Sequence, residues 1–263
     1  MEDFIVDNFR IFAPVRIGAV SGYAQIDTGA NPSFVRRSFS TDFQRVGTGE
    51  IRGALRMTAV EQCRLGIVSF LGYDFSDVVV NIQSDDAGDF QGLPFQVVMT
   101  IGVDILYQKP LYLNFVEGQI GFLEVVPSEW EVRGQVVDLH FKSGLAFFKT
   151  SLGSYKLNAL FDTGAGFSVL NAKCLDMLRA DLIEQEPEET LDPTGAKALI
   201  PVYKYPSLEI NGRSIGEIRF LVMDLADVEK AIGMEVDIVF GFDTMASYNW
   251  VVGKSQKRLL MIR

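Results

Sequence analysis

One segment of this chain occurs twice. Residues 24–35 read Ala-Gln-Ile-Asp-Thr-Gly-Ala-Asn-Pro-Ser-Phe-Val, and residues 159–170 read Ala-Leu-Phe-Asp-Thr-Gly-Ala-Gly-Phe-Ser-Val-Leu. Both fit the pattern A-x-[IF]-D-T-G-A-x-x-S-x-[VL], and its aspartates, Asp27 and Asp162, are separated by close to half the chain. A lone Asp-Thr-Gly is weak evidence, because it arises by chance in about one chain of this length in 20. Two extended copies at half-chain spacing imply one structural unit used twice. A second matched pair supports this. Ile101-Gly102-Val103-Asp104 follows Asp27 at nearly the same distance as Phe240-Gly241-Phe242-Asp243 follows Asp162. Each comes after an apolar, strand-like run (95–100 and 236–239) and precedes another strand candidate (111–116 and 249–252).

The rest of the chain reads as all-β with a few short helices. Runs rich in Val, Ile, Phe and Tyr, such as 78–82, 119–126, 218–223 and 258–262, are separated by turn residues. Asn211-Gly212 predicts a hairpin turn after a strand at 207–210. Near-helical apolar spacing predicts a helix within 170–183 and a short one at 226–232. The stretch 184–193, rich in glutamate and broken by Pro187 and Pro193, reads as an acidic loop. A boundary near 127–134 divides the chain into domains 1–130 and 131–263.

Composition narrows the chemistry. A net charge of −10 with no basic stripe argues against nucleic acid as a partner. Cys63 and Cys174 are too few for a disulfide framework and read as free thiols. The acidic start, Met1-Glu2-Asp3, does not resemble a secretory signal, and no apolar run approaches membrane-spanning length. These features predict a soluble, cytoplasmic chain with no membrane partner, with a trimmed secreted or periplasmic form left open. The single histidine, His140, stands in a strand-like run without a G-x-S-x-G elbow. A His/Cys zinc site or a Ser-His-Asp triad is therefore not expected.

Two carboxylates can hydrolyse a peptide bond without other help if they share a site. Held about 3 Å apart they cannot both ionise, so one takes a proton from water while the other donates to the carbonyl oxygen. Such a pair titrates as a unit. The neighbours suit this task. Ile26 and Phe161 continue a buried strand, Gly29 and Gly164 allow a sharp turn with backbone N–H groups near the carboxylate, and Thr28 and Thr163 offer hydroxyls across a two-fold-like interface.

The D-T-G-A-x-x-S-x-[VL] segments resemble the active-site loop of retropepsin-like aspartic proteases, relatives of the pepsins. Thr100-Ile101-Gly102 and Val239-Phe240-Gly241 resemble the family's later apolar-apolar-Gly segment, the first imperfectly because of Thr100. The resemblance implies two closed, barrel-like β lobes related by a pseudo-two-fold, a cleft between them, β-hairpin flaps, and no metal or organic cofactor. It implies that Asp27 and Asp162 bind the lytic water. Thr28 and Thr163 then bond across the lobes, and Gly29 and Gly164 line the substrate backbone. Both halves lie in one chain, as in pepsins, and predict a monomer. Yet Ala30 and Ala165 follow Asp-Thr-Gly as in retropepsins, where pepsins commonly carry a hydroxyl that would lower the carboxylate pKa. An optimum at about pH 5–7 is the expectation.

Segments 47–53 and 193–204 are the flap candidates, and Asp104 and Asp243 read as turn or helix-cap residues. The expected activity is that of an aspartic endopeptidase acting on an extended peptide or protein substrate. The alternatives are a catalytically inactive peptide-binding or regulatory protein, and halves that pair between chains.

Overall fold

Each Asp-Thr-Gly segment leaves the buried end of a strand, Val20–Ile26 in the first case and Tyr155–Phe161 in the second. The computed structural model describes residues 1–40, 43–52, 57–87, 90, 92–191 and 197–262. A parallel neighbour flanks each strand. Val97–Ile101 sets Ile101 opposite Ile26, and Ile238–Phe240 sets Phe240 opposite Phe161. Parallel strands covered on both faces must be apolar nearly throughout. Both neighbours are buried along their whole length, which fits the predominantly apolar runs at 95–100 and 236–239.

Among the described residues the strands form three sheets. One has ten strands, all from residues 5–101, and a second has eight, all from residues 140–240. The third is six-stranded and mixed in origin. It combines Glu2–Asp3, Leu111–Asn114 and Gln119–Phe122 with Gln135–Asp138, Asn249–Gly253 and Arg258–Ile262. Its middle is the antiparallel pairing of Leu111 with Val252 and Leu113 with Trp250. Trp250 reaches from this sheet onto Phe161 and Phe240, at ring separations of 5.6 and 5.7 Å. The aromatic residue before Asp162 is therefore clamped from below by two large rings.

Helices are short and peripheral to the sheets. Residues 127–134 hold the helix Ser128–Arg133. Ala226–Ile232 is helical as its spacing predicts, and the Asn211-Gly212 turn joins Lys197–Ile210 to Arg213–Met223. No helix among the described residues is long and apolar enough to cross a membrane.

Two expectations are corrected. Residues 170–183 do not form one helix. Val169–Asn171 is a strand parallel to Leu221–Met223, a 3-10 turn follows at Ala172–Cys174, and only Leu175–Leu178 is α-helical. Leu170, Cys174 and Leu178 are all buried, but from three different elements, which imitates helical spacing. The acidic loop at 184–193 is instead the strand Ile183–Leu191, antiparallel to Lys197–Ile210, with residues 192–193 outside the described residues. It is an edge strand with a register shift between Gln185 and Glu188, so Pro187 sits where no ladder hydrogen bond is needed. Two of its four glutamates meet basic neighbours, with Glu188 paired to Arg219 and Glu189 to Lys197.

Candidate active site

The two strand ends present Asp27 and Asp162 in matched fashion. The Asp27 N–H donates to the Ile101 carbonyl at 3.0 Å, and the Asp162 N–H donates to the Phe240 carbonyl at 3.1 Å. Thr28 and Thr163 then bond reciprocally. The Thr28 N–H donates to Thr163 Oγ1 at 3.0 Å, and the Thr163 N–H donates to Thr28 Oγ1 at 2.9 Å. Each hydroxyl in turn donates across to the opposite strand end, Thr28 to the Phe161 carbonyl and Thr163 to the Ile26 carbonyl, both at 2.9 Å. Both threonines are fully buried. These reciprocal hydrogen bonds fix one loop against the other with water excluded.

Above this lattice the carboxyls face each other. A Cβ placed on Gly29 would lie 2.3 Å from Asp162 Oδ2, and one on Gly164 would lie 2.2 Å from the Asp27 carboxyl carbon. Only glycine permits either approach. The Gly29 N–H donates to Asp27 Oδ1 at 2.9 Å; Asp162 Oδ1 accepts from the N–H groups of Gly164 at 2.8 Å and Ala165 at 3.2 Å.

Burial, and then the charge of Asp162, hold the Asp27 carboxyl well above its ordinary value. Burial also raises the Asp162 carboxyl, opposed by the N–H groups of Gly164 and Ala165 and by the hydrogen bond from Asp27. Both carboxyls are thus held above their ordinary range, and the pair holds a proton as one unit. One proton shared between two buried carboxyls gives the pair both an acid and a base.

A second layer holds each loop from behind, and sequence reasoning missed its role. Ser33 Oγ accepts from the Gly102 N–H at 2.8 Å and donates to Asp104 Oδ1 at 2.7 Å, while the Ser33 N–H donates to the same oxygen at 3.0 Å. Ser168, Gly241 and Asp243 repeat this arrangement at 3.1, 2.9 and 2.9 Å. Asp104 and Asp243 lie in the first turn of the short helices Val103–Leu106 and Phe242–Met245, and Asp243 Oδ1 also accepts from the first-turn N–H of Thr244 at 2.8 Å, as a helix-capping carboxylate does. Both also tie the serine of the repeated motif to the apolar-apolar-Gly segment. The serine common to both copies of the motif was the available signal, since it recurs at the same offset from each aspartate.

The pair lies on the floor of a cavity of about 390 Å³. One wall is apolar and includes Leu221, Met223, Val228 and Ile232, and the other includes Phe34 and Glu50. Glu50 comes from the hairpin Gln44–Arg52 and Met57–Arg64, so residues 47–52 of the first flap candidate are strand and not tip. Residues 197–204 of the second candidate likewise belong to a hairpin strand; Gly53 and residues 193–196 lie outside the described residues.

The other titratable candidates stand apart. His140 is half-buried and stacks on Phe147 at 5.6 Å; its pKa is lowered by burial and by Lys149. Cys63 and Cys174 are buried free thiols, both raised by burial, Cys174 to about 12. Among the described residues no cluster of three or more His, Cys, Asp or Glu side chains is placed to hold a metal ion.

No curated protein matches the chain. Residues 149–244 match the family model described as aspartyl protease, a span that holds Asp162, Thr163, Gly164, Ser168, Gly241 and Asp243.

Proposed function

We propose that the chain is an aspartic endopeptidase of retropepsin-like type in which Asp27 and Asp162 together activate one water. The observation that carries this reading is the reciprocal bonding of Thr28 and Thr163, which holds two buried carboxyls face to face beneath a cleft. The family match over residues 149–244 supports a peptidase, and the matched geometry around Asp27 supports extending the reading to both loops.

In this reading residues 1–130 and 131–263 form two similar lobes, and an extended peptide lies across the cleft between them. The ionised Asp162 takes a proton from the water, whose oxygen attacks the scissile carbonyl carbon. Asp27 gives its proton to the carbonyl oxygen. As the tetrahedral species collapses, the C–N bond breaks and the amine nitrogen leaves with a proton from the pair. Gly29 and Gly164 leave room for the peptide backbone over the carboxyls, and Ala30 and Ala165 add no hydroxyl that would favour ionisation. No cofactor takes part. The working unit is a monomer, and the two free thiols suit a reducing, cytoplasmic setting.

The test is hydrolysis of a mixed peptide library between pH 3 and 8 by the parent, Asp27→Asn and Asp162→Asn. Cleavage by the parent and its loss in either variant are expected. Cleavage that survives both substitutions refutes the reading, and no cleavage by a protein that still retains peptides favours a binding module.

A further inference from the structure

One buried polar group near the carboxyl pair takes no part in the bonds that hold the two loops together. Tyr107 directly follows the helix Val103–Leu106, and its N–H donates to the Val103 carbonyl at 3.2 Å. The residue is only 4% exposed, and its ring meets Phe141, from the strand His140–Lys142, edge-on at 5.9 Å. The hydroxyl oxygen is fully buried and makes no hydrogen bond among the described residues. Phenylalanine would fill the same space without that group, and a buried hydroxyl left unpaired is costly.

Its surroundings indicate a partner. Burial pushes the tyrosine pKa far up, the Thr28 side chain opposes this, and the charges of Asp162 and Asp27 raise it further. Thr28 is thus the neutral polar group that acts on the hydroxyl, and the two aspartates are the charges that do so. Thr28 Oγ1 already accepts from the Thr163 N–H and donates to the Phe161 carbonyl. A hydroxyl oxygen carries two lone pairs, so one remains open. The matching place in the other half differs. Tyr107 is the fifth residue after Gly102, and the fifth after Gly241 is Ala246, which has no hydroxyl. The two threonines are alike in their cross-loop bonds and unlike in what stands beside them.

We propose that Tyr107 is a positioning residue for the first catalytic loop, its hydroxyl donating to the lone pair of Thr28 Oγ1 that the cross-loop bonds leave open. The effect on catalysis rests on the peptidase reading; the bond itself does not. A slight rotation of the tyrosine side chain closes it. The bond adds a third partner to the oxygen that joins the loops, and hydrogen bonds in such a chain polarise one another. It also points the positive end of the tyrosine O–H dipole at Thr28, next to Asp27, which favours the charged form of the pair.

The experiment places Tyr107→Phe, which deletes only the hydroxyl, in the parent and in Thr28→Val. In the parent it is expected to lower Tm by about 2 °C, the effect of one hydrogen bond in a chain of this length. In Thr28→Val the acceptor is gone, so the same change should leave Tm unchanged or raise it. A Tm for Tyr107→Phe at or above that of the parent overturns the bond, and so does an equal loss in both backgrounds. The positioning role is read from the acidic limb of the pH profile of kcat/KM for one cleaved peptide. Without the dipole the pair holds its proton more tightly. The limb should therefore move up by about half a pH unit, a loss of about threefold in activity below it. An unmoved limb overturns that role while leaving the hydrolytic reading intact. If the parent cleaves nothing, the hydrolytic reading fails, and the fall in Tm from about pH 3 to about pH 7 is compared instead. A larger fall in Tyr107→Phe than in the parent then supports the role, and an equal fall overturns it.

Discussion

Replacing Thr28 by valine keeps the shape of the side chain and deletes its oxygen. In the structure that oxygen accepts from the Thr163 N–H and donates to the Phe161 carbonyl, both at 2.9 Å and both in a buried setting. The substitution thus strips two buried backbone groups of this partner. At about 1–3 kcal/mol for each group, the cost is roughly 2–6 kcal/mol. That is a large part of the roughly 5–15 kcal/mol typical of a folded domain. For a chain of this length about 2 °C of Tm accompanies each kcal/mol, so Thr28→Val is expected to melt roughly 4–12 °C lower. Thr28→Ser keeps the hydroxyl and loses only a methyl, worth about 1 kcal/mol. Because Thr163 makes the same bonds in reverse, Thr163→Val should match Thr28→Val closely. Thermal unfolding by circular dichroism reads all three. Equal Tm values for Thr28→Val and Thr28→Ser would refute the reasoning, and so would a large difference between the two valine variants.

Further outcomes follow from the carboxyl pair. Burial and Asp162 raise the Asp27 carboxyl above its ordinary value of 3.8, so the folded chain keeps a proton that the unfolded chain loses. Stability therefore falls as pH rises through and above that value, and Asp27→Asn removes the penalty. The variant should melt with the parent at about pH 3 and above it at pH 7, and the reverse order at pH 7 contradicts this. The pH–rate profile of peptide hydrolysis should peak at about pH 5–7, since both carboxyls are raised and neither Ala30 nor Ala165 supplies a hydroxyl; a peak at about pH 2–3 contradicts it. Gly164→Ala drives a methyl to 2.2 Å from the Asp27 carboxyl carbon and should lower kcat/KM by at least about a hundredfold; unchanged activity would mean that the carboxyls do not meet there.

The carboxyl pair was legible because its placement is local. A strand, an aspartate and a glycine turn, written twice, specify where a side chain emerges, and two short apolar-Gly segments specify what backs it. Residues that act through partners distant in sequence were harder to read. Ser33 and Asp104 lie far apart in the chain and are brought together where Phe34–Arg36 pairs antiparallel with Val97–Ile101, a pairing that periodicity does not reveal. The strand Ile183–Leu191 was hidden by its own composition, since glutamate and proline disfavour strands in general but are tolerated on an edge beside lysine and arginine. The helix expected at 170–183 failed because burial alone set the spacing of Leu170, Cys174 and Leu178.

The most direct test of the central claim is kcat/KM for one cleaved peptide measured in Asp27→Asn, Asp162→Asn and the double variant. Two carboxyls that share one proton and one water act as a single device. Each single variant should then lose at least about a thousandfold, and the double variant should lose no more. If either single variant keeps a substantial fraction of parental activity, or the losses multiply in the double variant, the two aspartates do not work as a pair.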